Sequence, residues 1–155
     1  ATFDSVWIDL SKGLGAPVGG VLAGSAEFID KAWGWKHRLG GAMRQSGILA
    51  AAGIYSLRHH VERMAEDHEN AKMFAREISR CPNIDQNHKV ETNIIRFDVR
   101  KTGLSAQAFV DRLLEKGVWL SVHGRTTCRA VTHIGTSRED VEEAAKTIRE
   151  FAERT

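Results

Sequence analysis

Apolar residues come in short unbroken runs at the start of the chain and in helical or alternating patterns further along. Val6-Trp7-Ile8-Asp9-Leu10 and Gly20-Val21-Leu22-Ala23-Gly24 flank a glycine-rich turn and predict two short strands, at 5–10 and 20–24, in a buried sheet. Ser25 is placed to cap a helix, with Glu27 in the first turn, where the positive end of the helix dipole favours an anion. Phe28, Ala32, Trp35 and Leu39 recur at helical spacing until Gly40-Gly41 ends the run. A second helix over 46–57 carries Ile48, Leu49, Ala50, Ala51, Ala52, Ile54 and Leu57 on nearly all sides, which predicts burial on several of them.

The pattern changes near Arg58-His59-His60. Val61, Met64, Ala65, His68, Ala71, Phe74, Ala75 and Ile78 form one stripe of an amphipathic helix over 61–80, closed by Cys81-Pro82-Asn83. A strand over 93–99 follows, with Ile95, Phe97 and Val99 on one face, then a helix capped by Ser105. Strands at 118–122 and 128–133 come next. Ser137 and Asp140 are spaced to cap a last helix carrying Val141, Ala144, Ala145, Ile148 and Phe151. The boundary predicted at about residue 60 divides the chain into 1–60 and a small α/β sandwich over 61–155.

Composition narrows the function classes. Twenty-two Lys and Arg against 20 Asp and Glu leave a net charge of +2, and the two signs are interleaved, so neither nucleic acid nor an anionic membrane is an expected partner. Only two cysteines are present, Cys81 and Cys128, with no Cys-x-x-Cys pair, which suits a reducing cytoplasm. The seven histidines lack metal-ligand spacing, and no metal is expected.

The chemistry concentrates in Ser11-Lys12-Gly13-Leu14-Gly15-Ala16-Pro17-Val18-Gly19-Gly20. The dinucleotide fingerprint fails there because Val18 stands where its third glycine belongs, and the order Ser11-Lys12-Gly13 is not that of a Walker loop. What remains is a lysine at a strand end followed by glycines that let a flat group approach the backbone. Lys12 is thus a candidate for covalent amine chemistry, and its other reading is an ion pair with Asp9 or a side chain reaching into solvent. Arg129, expected to share a strand face with Val131 and His133, calls for a planar anion, either a protein carboxylate or a substrate's. Arg44, after Gly40-Gly41-Ala42-Met43, is either a surface arginine or one that reaches another surface.

Several blocks in order resemble the low-specificity threonine aldolases: Phe3-Asp4-Ser5-Val6, the segment Leu10 to Gly19, Leu39 to Gly47, His60 to Ala71, Arg129 to His133, and Ser137 to Ala144. Those are pyridoxal 5'-phosphate (PLP) enzymes of the aspartate-aminotransferase-like fold type I. The resemblance implies the C-terminal part of a large PLP-binding domain followed by a small α/β domain. It implies that Lys12, after Ser11, is the Schiff-base lysine, that Arg129 holds the α-carboxylate of an amino-acid substrate, and that Arg44 reaches the cofactor phosphate of a neighbouring subunit in a homo-oligomer. Where many members carry a lysine directed at that phosphate, His37 stands here. The activity implied is cleavage of a β-hydroxy-α-amino acid to glycine and an aldehyde; the alternatives are another PLP-dependent amino-acid reaction (β-elimination, racemisation or transamination) and a non-catalytic half-chain that only associates with a partner. Family members begin with a longer segment that supplies the phosphate cup, a ring stacked on the cofactor and the aspartate at the pyridine nitrogen. The chain, which opens Ala1-Thr2-Phe3, is therefore expected to act with that segment, as one part of a larger or a split enzyme.

Overall fold

The computed structural model describes residues 2–86 and 88–155. Its contacts divide into two units, one up to Arg63 and the other Met64–Thr155.

In the first unit β1 (Ser5–Asp9) pairs antiparallel with β2 (Gly20–Gly24), in a register that sets Trp7 opposite Leu22 and Ile8 opposite Val21. The ten residues between them fold back on themselves, with Leu10 N–H donating to Gly19 O at 2.9 Å. Helix α1 (Ala26–Arg38) starts as its sequence predicts, with Ser25 Oγ accepting from Phe28 N–H at 3.2 Å. Helix α2 is Gly47–His59, two residues longer at its end than the apolar run.

The predicted burial of this unit is not observed. Every residue of β2 is exposed and β1 is exposed up to Ile8; on α2 only Gly53 and Ser56 are buried. Trp7 is 62% exposed and Ile48 84%. The reason is geometric. A two-stranded ribbon has two faces and no third layer, and α2 is buried only at the small residues Gly53 and Ser56. A Cβ on Gly53 would lie 3.0 Å from Leu10 Cδ1, so the helix crosses the turn against bare backbone.

The second unit has a core of its own. The strands β3 (Ile94–Asp98), β4 (Ser121–Val122) and β5 (Thr127–Val131) form an antiparallel sheet in the order β3-β5-β4. Alternation sends Ile95, Phe97, Cys128 and Ala130 to one face. There they join residues of α3 (Met64–Ile78), α4 (Ala106–Leu114) and α5 (Arg138–Glu153) in a single buried cluster. Phe97 lies within aromatic contact of Phe74 and Phe109, at centroid distances of 6.3 and 6.5 Å. Each such ring removed from water contributes about 1.5–3 kcal/mol. Helix α5 begins in the capping box predicted from Ser137 and Asp140, in which each side chain takes the other's backbone N–H.

Three boundaries shift. Helix α3 starts at Met64, not Val61, because 61–63 form turns, and Val61 is exposed. Strand β4 keeps only two residues of 118–122, and β5 ends at Val131, which leaves His133 in a turn whose carbonyl accepts from Thr136 N–H. Leu120 and Val118 are buried without ladder pairing, so their apolar character is explained by the core.

Asp98 joins this unit to pH. Arg100 donates to both its oxygens, from Nε and Nη2 at 2.9 Å each, and this guanidinium holds the carboxyl at about 2, below its ordinary 3.8. The folded form thus releases the proton more readily than the unfolded one. The stabilisation is present above about pH 4 and is lost as pH falls towards about 2. The stability gap between the wild type and Arg100→Ala is expected to be full near about pH 6 and to close near about pH 2 in chemical denaturation followed by circular dichroism. A gap that stayed constant through that window would remove Asp98 from the acid response.

Candidate functional site

The Lys12 turn is built by backbone hydrogen bonds over a small apolar foot. Gly15 N–H donates to Lys12 O and Ala16 N–H to Leu10 O, both at 2.8 Å. Gly15 takes φ 68°, a left-handed conformation that costs a side-chain-bearing residue about 1 kcal/mol or more. Leu10, Leu14 and Ala16 are buried beneath, while Ser11 and Lys12 stay exposed on top.

Asp9 collects the donors of this turn. Its Oδ1 accepts from Ser11 N–H at 2.9 Å and from Ser11 Oγ at 2.7 Å, and its Oδ2 lies 3.0 Å from Lys12 Nζ. The Ser11 hydroxyl and the Lys12 ammonium hold the Asp9 carboxyl at about 2. The ion-pair reading of Lys12 therefore describes its arrangement here. The amine is otherwise open, with 72% of the side chain exposed and the Trp7 ring centroid 5.7 Å from Nζ. Three donors, a main-chain N–H, a hydroxyl and an ammonium, converge on one anionic group, and that set also suits the anionic and carbonyl groups of a flat cofactor.

His60 holds the turn from a distance. Its Nδ1 lies 2.6 Å from Leu14 O, and a carbonyl can only accept, so Nδ1 carries the proton. Tyr55 meets the same imidazole edge-on at 5.6 Å. Nothing local in the sequence points to this bond, which spans 46 positions. His60→Ala is expected to speed hydrogen exchange of the Gly15 and Ala16 amides roughly 2- to 10-fold, the equivalent of one neutral hydrogen bond. Unchanged protection at both amides would show that the turn does not depend on His60.

The remaining candidates are exposed. Arg44 sits in the bend before α2, beside Gln45, which takes φ 50°. His37 lies in the last turn of α1 with its ring 5.9 Å from that of Trp33. Among the described residues no protein carboxylate pairs with either Arg44 or His37.

In the second unit Arg129 is half-buried at the centre of β5, on the sheet face turned away from the core. Val131 shares that face, whereas His133 lies beyond the end of the strand. Of the two readings of Arg129, the internal salt bridge is absent: among the described residues it has no carboxylate partner. Directly across the sheet from it stand Arg96 on β3 and Ser121 on β4. Arg96 escapes a reading of the sequence. Alternation puts it opposite Ile95 and Phe97, but only the register brings it beside Arg129.

Among the described residues no group of three or more His, Cys, Asp or Glu is placed to hold a metal ion. No helix among them is long and apolar enough to cross a membrane.

Comparison with known proteins adds ancestry to this geometry. The family model described as "Beta-eliminating lyase" matches residues 1–102. The "Low specificity L-threonine aldolase" of Escherichia coli (strain K12) is 41% identical over an alignment of 156 positions that covers 97% of this chain and 44% of that protein. "Low-specificity L-threonine aldolase 1" of Arabidopsis thaliana is 39% identical over 140 residues, covering 89% of this chain and 39% of its own length. The chain thus spans less than half the length of these relatives. Among solved structures, a Listeria monocytogenes protein provisionally described as an L-allo-threonine aldolase matches with a TM-score of 0.74 at 23% identity, over 98% of this chain and 44% of that one. The 8-amino-7-oxononanoate synthase of Francisella tularensis matches with a TM-score of 0.71 at 17% identity, over 96% and 45% of the two chains. At those identities the likeness speaks to fold alone.

Proposed function

This chain belongs to the beta-eliminating lyase family and has the mixed α/β fold of the C-terminal portion of PLP fold-type-I enzymes; from that premise we propose that it supplies the cofactor lysine and the substrate-binding arginine of an aldolase. The reaction is cleavage of threonine-like β-hydroxy-α-amino acids to glycine and an aldehyde. One observation carries the reading: an exposed amine, Lys12, stands at the head of a turn closed by backbone hydrogen bonds of its own, next to a hydroxyl and a main-chain donor.

Lys12 Nζ is the attachment point for PLP and must leave Asp9 Oδ2 to act as a nucleophile. When bound, PLP supplies an electron sink for the pair left on Cα as the Cα–Cβ bond breaks. Ser11, Arg44 and His37 are the residues of this chain directed at its phosphate, with Arg44 acting on the cofactor of a neighbouring subunit. Arg129 takes the substrate α-carboxylate in a two-pronged hydrogen bond and so fixes which bond to Cα is presented for cleavage. An oligomer is supported by the apolar residues that the first unit leaves uncovered, Trp7, Ile48 and Ile54 among them. A reducing, cytoplasmic setting fits the two free and buried thiols of Cys81 and Cys128.

The test is product analysis on the PLP-loaded enzyme. Threonine and phenylserine are expected to yield glycine and the matching aldehyde in equal amounts. The family description itself favours one other reading, β-elimination. Pyruvate and ammonia from serine, with no glycine from threonine, would establish that reading in place of the aldolase.

A further inference from the structure

The outward face of the sheet in the second unit carries one more charged group than a single carboxylate needs. Arg129 occupies the central strand, flanked in register by Arg96 on one side and Ser121 on the other. Two guanidiniums on directly opposed residues rise from Cβ atoms about 4.5–5.5 Å apart and repel each other unless an anion lies between or above them. The acid nearest on that face is Asp98, diagonal to Arg129, and its oxygens are already committed. Oδ1 accepts from Arg100 N and Nε, both at 2.9 Å, while Oδ2 accepts from Arg100 Nη2 at 2.9 Å and Thr126 Oγ1 at 2.8 Å. Glu91, just before the strand, is paired with Lys89 at 2.7 Å. Among the described residues, neither Arg96 nor Arg129 has a carboxylate within ion-pair distance.

One guanidinium satisfies one carboxylate through two parallel N–H···O bonds. With Arg129 so engaged, Arg96 keeps its full charge on the same face of the sheet, directly across from it in register. We infer that Arg96 is a specificity-determining residue that receives a second carboxylate, so that the site takes β-hydroxy-α-amino acids bearing a carboxylate on Cβ, such as β-hydroxyaspartate. The inference rests on the reading of Arg129 as the α-carboxylate arginine. In such a substrate the two carboxylates sit on adjacent carbons, a span that two arginines on neighbouring strands can reach together. The cleavage balances without a further reactant. The Cα–Cβ bond breaks, the β-hydroxyl gives its proton to a base as it becomes a carbonyl, and Cα takes up a proton, so that β-hydroxyaspartate divides into glycine and glyoxylate.

Calorimetric titration of the PLP-loaded enzyme with succinate and with butyrate, which has the same carbon chain and one carboxylate fewer, tests this without turnover. Succinate is expected to bind roughly 10- to 100-fold more tightly, the range of one charge-assisted hydrogen-bonded pair. Arg96→Gln is expected to reduce succinate to the affinity of butyrate, and Arg96→Lys, which keeps the charge but not the planar fork, to retain part of the difference. Arg96 is exposed and its neighbours Ile95 and Phe97 hold the strand in the core, so both variants are expected to fold with unchanged thermal midpoints. Equal affinities in the wild type overturn the inference, and so does a succinate preference that survives Arg96→Gln. Failure of the aldolase reading is seen separately, as absence of glycine from threonine.

Discussion

Lys12→Ala is expected to eliminate the PLP that borohydride fixes to the protein, and with it the release of glycine. In the wild type, reduction followed by peptide mass spectrometry should place the pyridoxyl group on the peptide that contains Lys12. Among the described residues, neither the two thiols nor the Ser11 hydroxyl beside Lys12 is poised to substitute. The two thiols are buried, and burial pushes that of Cys128 up to about 12, so it stays protonated at neutral pH. Ser11 Oγ donates to Asp9, whose carboxyl, held at about 2, is too weak a base to activate it. The fold should tolerate the change, because Lys12 is exposed and the turn is held by the backbone bonds of Gly15 and Ala16 and by buried Leu10 and Leu14. A pyridoxyl group retained at wild-type level after Lys12→Ala would assign the attachment to another residue and overturn the proposed function.

Arg129→Ala is expected to lower kcat/KM roughly 10- to 100-fold, the equivalent of a charge-assisted, two-pronged hydrogen bond, with most of the effect in KM. It should also loosen the choice of bond broken, because a substrate held by fewer points presents more than one bond of Cα for cleavage. Side products from threonine, measured against glycine, report that loss. Arg129→Lys should not restore the wild-type ratio, since an ammonium is a point charge and does not match the plane of a carboxylate. The strand survives either change, as Cys128 and Ala130 anchor it on the core side. If Arg129→Ala left both KM and the product ratio as they are, the α-carboxylate would have to be held elsewhere.

The two units differ in how fully their sequence announces them. In the second, alternation in 94–98 and 127–131 and the stripes on α3 and α5 each point to the face that is buried, because sheet and helices cover one another within the unit. In the first, the apolar residues of β1, β2 and α2 mark surfaces that want cover, and a periodic pattern does not say what covers them. Hence the buried sheet expected at 5–10 and 20–24 is an exposed ribbon. The site divides in the same way. Lys12 stands out in the sequence because strand, lysine and glycines are contiguous. His60 and Arg96 do not, since each acquires its meaning from a partner 46 or 33 positions distant, Leu14 in one case and Arg129 in the other.

The features legible in the residues alone are local: the caps at Ser25, Ser105 and Ser137, the glycine turn beneath Lys12, and the buried face of each element in the second unit. These follow from forces that act within a few residues, namely capping hydrogen bonds, the steric freedom of glycine and the periodicity of apolar side chains. Tertiary structure decided the partners. It fastened the turn through His60 and set Arg96 beside Arg129 with Asp98 already taken by Arg100. Strand register and chain reversal settle such pairings, and a shift of one residue would send Arg96 and Arg129 to opposite faces of the sheet.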